Sequence, residues 1–134
     1  MPHCVILYTP NVEAKSDVSA LCRTLADEML TILDEGGRQM FPTGGTRVLA
    51  YPAAHYAVAD GKGDYAFVYI NVRMGAGRSD AVKQAAGDRL MEKVKAHFAP
   101  IFSSELIGIT LQIDESPGQV YDGKHSTLHP LFNT

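Results

Sequence analysis

Two short runs constrain this chain more than any other feature. His3-Cys4-Val5-Ile6-Leu7-Tyr8 and Tyr65-Ala66-Phe67-Val68-Tyr69-Ile70-Asn71-Val72 are largely apolar at both odd and even positions. Successive side chains of a strand point to opposite faces, so each run predicts a strand buried on both sides. Apolar residues then recur at helical spacing, first Val18, Leu21, Cys22, Leu25, Met29, Ile32 and Leu33, later Val82, Ala86, Leu90, Val94 and Phe98. Each set predicts an amphipathic helix. Two helices can cover only one face of a four-stranded sheet. The second face needs a cover that the chain does not supply, and burial against further copies is the simplest one. The expectation is an oligomer.

Punctuation residues set the remaining boundaries. Thr9-Pro10-Asn11 breaks the first strand, and Ser16 is the candidate N-cap of the first helix, with Asp17 in its first turn. Gly36-Gly37 is expected to end that helix as a C-cap. Thr46–Tyr51 reads as a second strand and Pro52–Gly63 as a loop, with room for a short strand around His55–Val58. After the third strand, Gly75-Ala76-Gly77 makes a tight turn, Ser79 caps the second helix and Pro100 is expected to close it. Leu106–Ile113 is the fourth strand, and the tail from Ser116 is rich in turn residues. Lys15-Ser16-Asp17 matches Arg78-Ser79-Asp80 at an offset of 63, from Ser16 to Ser79. This points to a duplicated βαβ unit within one domain, 1–134, with repeats at about 2–63 and 64–134, and parallel strands within each unit. The same offset sets Tyr65 against Pro2 and Thr110 against Arg47.

Composition excludes several classes. A chain of 134 residues and 46% hydrophobic content suits one α/β domain. Twelve basic against fifteen acidic residues, with no run of either sign, argues against nucleic acid as the partner. No apolar stretch is long enough to span a bilayer, and the first residues lack a signal-peptide layout. Two cysteines, Cys4 and Cys22, are too few for a disulfide framework and read as small core hydrophobes. A reducing cytoplasm is expected.

Phosphate-loop, GxSxG, HExxH and paired CxxC signatures are absent from the sequence. His125 and His129 have the spacing of two ligands on one helix face, but Ser126–Pro130 reads as a poor helix, and no metal is expected. Met1-Pro2 is more suggestive. A small second residue permits removal of the initiator methionine. The strand that follows would hold the new terminus, a secondary amine able to act as a base. Arg78 precedes a helix N-cap, where backbone N–H groups and the dipole favour anions, so it is a candidate carboxylate clamp. Arg47, at the start of the second strand, is another.

Taken together, these segments resemble the tautomerase superfamily, and the 5-carboxymethyl-2-hydroxymuconate isomerases in particular. The likeness rests on Pro2-His3, Phe41-Pro42 with Thr46-Arg47-Val48, and Asp60-Gly61 before Asp64-Tyr65-Ala66-Phe67-Val68. It continues through Gly75-Ala76-Gly77-Arg78-Ser79, His97-Phe98 and His129-Pro130-Leu131-Phe132. The resemblance implies a homotrimer of duplicated βαβ units. It implies an isomerase that shifts a proton on a small unsaturated keto carboxylate in aromatic catabolism. Pro2 would be its base, Arg47 and Arg78 its carboxylate-binding residues, and no cofactor would be needed. Arg73, close to the same region, is a further candidate for a clamp. The readings it leaves open are a trimeric binding module without catalysis and a tautomerase of another substrate, such as phenylpyruvate.

Overall fold

The computed structural model describes residues 3–132. Four strands, β1 (His3–Tyr8), β2 (Val48–Pro52), β3 (Tyr65–Gly75) and β4 (Leu106–Ser116), form one sheet in the order β2-β1-β3-β4. β1 pairs with β2, and β3 with β4, in parallel. The two pairs join through β1 and β3, which run antiparallel. Helix α1 (Val18–Thr31) links β1 to β2, α2 (Asp80–Phe102) links β3 to β4, and a short α3 (Leu128–Phe132) follows. Among the described residues no helix is long and apolar enough to cross a membrane.

Both long helices lie on one face. Cys4, Ile6 and Tyr8 of β1 and Ala66, Val68, Ile70, Val72 and Met74 of β3 point inward and are buried. They meet Leu21, Leu25 and Met29 of α1 and Leu90, Val94 and Phe98 of α2 in one core. Arg89 on α2 ties the helices together, its guanidinium 2.6 Å from the Glu28 carboxylate and 2.7 Å from the Thr31 hydroxyl. The opposite face is bare in the single chain. Leu7, Leu49, Tyr51 and Phe67 are 48%, 43%, 51% and 39% exposed. The second apolar parity of the strands is thus real.

Several boundaries differ from the sequence expectation. Asp17, not Ser16, caps α1, accepting a hydrogen bond from the Ala20 N–H at 3.0 Å. Ser16 instead turns its hydroxyl to the His97 ring, Oγ to Nε2 2.6 Å. α1 ends at Thr31, before Gly36-Gly37. Ile32 takes an extended conformation and its carbonyl accepts from the Met40 N–H at 2.8 Å. The glycines form the reversal between them, where Asp34 accepts from the N–H groups of Gly36 and Arg38. Pro100 does not close α2, which continues to Phe102. A proline near a helix end forfeits one hydrogen bond, here from the exposed Ala96 carbonyl region, where water can serve. β3 and β4 each run three residues further than expected, and no strand forms at His55–Val58. There the chain leaves the sheet at Ala53, whose N–H caps the Tyr8 carbonyl at 2.8 Å.

The cap correction also corrects the internal offset. The caps are Asp17 and Ser79, and the helices begin at Val18 and Asp80, each pair 62 apart. An odd offset of 63 would lay inward Cys4 on outward Phe67, and one residue of slip reverses every side chain. The parallel registers differ too. Cys4 pairs with Val48, whereas its equivalent Ala66 pairs with Ile107, so the partner of Arg47 in the second half is Leu106, not Thr110.

Burial lowers the His97 pKa from its ordinary 6.5, with Asp17 opposing, so the folded chain holds this proton less tightly than the unfolded one. Stability from this group is complete above about pH 6.5 and is lost as pH falls through the folded pKa. Urea denaturation at pH 7.5 and 5 should show a smaller loss for His97→Gln than for the wild type. Equal losses would remove His97 from the account.

Candidate active site

The start of β1 is the focus. His3 is paired in register with Arg73 on β3, and the Cys4 N–H donates to the Arg47 carbonyl at 3.0 Å where β2 begins. Arg47 and Arg73 therefore flank His3 from the two neighbouring strands. Their charges are felt there. Burial first, then Arg47 and Arg73, hold the His3 imidazole below its ordinary pKa. Its Nδ1 is buried and has no hydrogen-bond partner among the described residues. Pro2, the candidate base, lies outside the described residues.

The arginines are not equivalent. Arg47 and Arg73 are exposed, and Arg47 spends one Nη1 hydrogen on the Gly45 carbonyl at 3.1 Å. Arg23 and Arg89 are ion-paired, whereas among the described residues Arg47, Arg73 and Arg78 are not. Unpaired guanidinium groups keep N–H donors for a carboxylate.

Arg78 is half-buried and donates from Nη2 to the Met40 carbonyl at 2.8 Å, while its Nε is buried without a partner among the described residues. Its hydrogen bond braces the segment that leads into Arg47. The N-cap residue beside it is engaged within the chain. The Ser79 N–H and hydroxyl both donate to the Glu35 carboxylate, at 3.3 and 3.0 Å. Glu35 was not singled out from the sequence. It stands directly before the Gly36-Gly37 reversal, which carries it to the start of α2. Ser79 itself caps α2 through Val82, as expected.

A second contact was also invisible in sequence. A side-chain carbon at residue 44 would lie 2.9 Å from Cα of His129, so α3 rests directly on the turn Thr43–Gly45. His125 lies before that helix and His129 within it, so the two do not share a helix face. Among the described residues no cluster of three or more potential metal ligands occurs. Cys4 is buried, its thiol pKa pushed up to about 12 by burial, and it packs as a hydrophobe.

Two parallel βαβ pairs joined antiparallel, with helices on one face, define a tautomerase-type fold, and the chain is an isomerase of that class. The model of the 5-carboxymethyl-2-hydroxymuconate isomerase family matches residues 2–132. A 5-carboxymethyl-2-hydroxymuconate Delta-isomerase of Escherichia coli is 32% identical over 132 residues, covering 98% of this chain and 99% of its own length. Among solved structures, a 5-carboxymethyl-2-hydroxymuconate delta-isomerase shares 51% identity with TM-score 0.94, covering 100% of this chain and 94% of that one. A 5-carboxymethyl-2-hydroxymuconate isomerase from Deinococcus radiodurans R1 shares 29%, with TM-score 0.84 and coverage of 99% and 95%. The chain belongs to the 5-carboxymethyl-2-hydroxymuconate isomerase family.

The Met40 contact gives Arg78 a structural cost that an exposed clamp would lack. Arg78→Ala should lower unfolding stability by roughly 1.5–3 kcal/mol, the usual worth of a hydrogen bond to a charged group. Urea denaturation measures it. A change within about 0.5 kcal/mol, the scatter of ordinary surface substitutions, would show that the bond to Met40 carries no weight.

Proposed function

We propose that this chain is a cytoplasmic isomerase of aromatic catabolism that moves a proton along 5-carboxymethyl-2-hydroxymuconate or a closely similar unsaturated keto carboxylate. Pro2 is the base once Met1 is removed, and Arg47, Arg73 and Arg78 bind carboxylate. The observation that carries this reading is the pair of exposed arginines, Arg47 and Arg73, on either side of His3 and without an ion-pair partner among the described residues. An amine at the preceding residue would share that positive surrounding. A guanidinium about 8 Å away, at an effective dielectric of about 20, is worth roughly 2 kcal/mol, or about 1.5 pKa units. The amine would then be neutral near pH 7.

The neutral nitrogen takes a proton from a carbon beside the conjugated system, or from the enol oxygen. It returns that proton further along the chain of double bonds. Arginine charge offsets the dienolate as it develops, and carboxylate contacts at both ends hold the reacting carbon in place. No cofactor takes part in these steps. Arg78 serves in this scheme from a half-buried position, with its bond to Met40 fixing its orientation.

We read the halves 2–63 and 64–134 as a duplicated unit in a single domain and the assembly as a homotrimer. The exposed Leu7, Leu49, Tyr51 and Phe67 supply an apolar face for such an assembly. The second half has Leu106 at the Arg47 position, so each chain carries one competent cleft. The two free cysteines suit a reducing cytoplasm.

Blocking the amine tests the reading. In a form that keeps Met1, confirmed by mass, the Pro2 nitrogen is an amide. The rate should fall by roughly 10²–10⁴-fold, the usual worth of a general base, with fold and ligand binding intact. Full activity with Met1 in place would refute Pro2 as the base.

A further inference from the structure

Between α1, the start of β2 and α3 lies a cavity of about 660 Å³. Its walls include Cys22 and Leu30 of α1, Arg47 and Val48, and Leu128 and Phe132 of α3. Arg47 thus lines it beside these apolar side chains, with Ser19, Thr43 and Thr46 among the polar residues of the remaining wall. Arg23 also borders the cavity, but its guanidinium is held 2.8 Å from the Asp27 carboxylate. Among the described residues Arg47 keeps donors to spare, with one of its N–H groups engaged by the Gly45 carbonyl.

α3 is built to stay where it is. Its first N–H groups, of Leu128 and His129, both donate to the Ser126 hydroxyl, at 3.0 and 3.3 Å. Its backbone touches the turn Thr43–Gly45 so closely that residue 44 has room only for hydrogen. A Cβ there would lie 2.9 Å from Cα and 3.3 Å from N of His129, and 3.3 Å from the Leu128 carbonyl oxygen. That turn ends two residues before Arg47, so the seat of α3 and the position of the guanidinium are set by one short segment. Leu128 and Phe132, four apart on one helix face, remain 57% and 49% exposed beside the cavity. A ligand with a hydrocarbon chain would remove that apolar surface from water.

We propose that α3 is a selecting wall for the substrate, which lays a carboxylate on Arg47 and its unsaturated chain against Leu128 and Phe132. This inference rests on the reading above that Arg47 binds substrate carboxylate. A carboxylate alone would use the cation and leave the wall unused. A carboxylate carrying a chain of several carbons would use both, so the wall discriminates by chain length.

Two variants test it. Leu128→Ala/Phe132→Ala shortens the wall without altering the core, and Gly44→Ala pushes α3 off its seat. Each should raise KM for 5-carboxymethyl-2-hydroxymuconate roughly tenfold, the scale of lost apolar contacts in a pocket, with kcat within about threefold. Calorimetric binding of adipate should weaken in parallel, while acetate, which has no chain to lay on the wall, should bind equally to wild type and variants. KM and adipate affinity within twofold of wild type in the double variant would overturn the wall, whatever Gly44→Ala does. Arg47→Ala separates the two readings. If it weakens adipate binding and the wall variants do not, only the wall falls. If Arg47→Ala changes neither KM nor adipate affinity, the carboxylate role of Arg47 falls first, and the wall with it.

Discussion

The antiparallel pairing of β1 with β3 is the constraint on which the rest of the molecule depends. Each βαβ half contributes two parallel strands and one helix, too little to bury a core alone. Joining the halves through β1 and β3 makes one sheet and sets the two helices side by side over Ile6, Val68, Ile70 and Val72. The same pairing lays Arg73 across from His3. Packing and the charged surroundings of the chain's start therefore come from a single register. A slip of one residue would bury Arg73 and expose Val72, so the core itself enforces the arrangement of the arginines.

Among the described residues Arg47 and Arg73 have no ion-pair partner, whereas several other cations do. Lys15 is shared between Asp64 and Glu105, and Lys83 between Asp80 and Glu115. The N-cap of α2, Ser79, is likewise engaged by the Glu35 carboxylate. Arg47 and Arg73 differ from Arg38 and Lys62, which also lack an ion-pair partner among the described residues, in standing together on either side of His3. Burial first, and then the charges of Arg47 and Arg73, hold the His3 imidazole below its ordinary pKa. Such a surrounding favours anions and neutral amines alike, which is the pairing that proton transfer on a carboxylate substrate by an amine requires.

Much of the fold was legible because its signals are local. The two-sided apolar runs, the helical spacing and the Ser79 cap each rest on a few neighbouring residues. The misreadings came where a local signal met a longer-range partner. Ser16 is as good a cap as Asp17 by type, but His97, distant in sequence, claims its hydroxyl. Gly36-Gly37 resembles a helix stop, yet Ile32 already leaves the helix to pair with Met40. From that one-residue error in the cap followed the odd repeat offset, which strand parity forbids. At the site, Arg47 and Arg73 follow from strand register. The tie from Arg78 to Met40, the Glu35 cap and the seat of α3 on Gly44 depend on tertiary contacts that no spacing rule encodes.

The account turns on the charge state of one nitrogen. Titration of the Pro2 amine by ¹⁵N NMR in the processed protein, alone and with Arg47→Ala or Arg73→Ala, addresses it directly. The pKa should lie below the roughly 7.7–8.0 of an ordinary terminal amine and rise toward that range when either arginine is removed. A value at or above that range, unmoved by both substitutions, would contradict it.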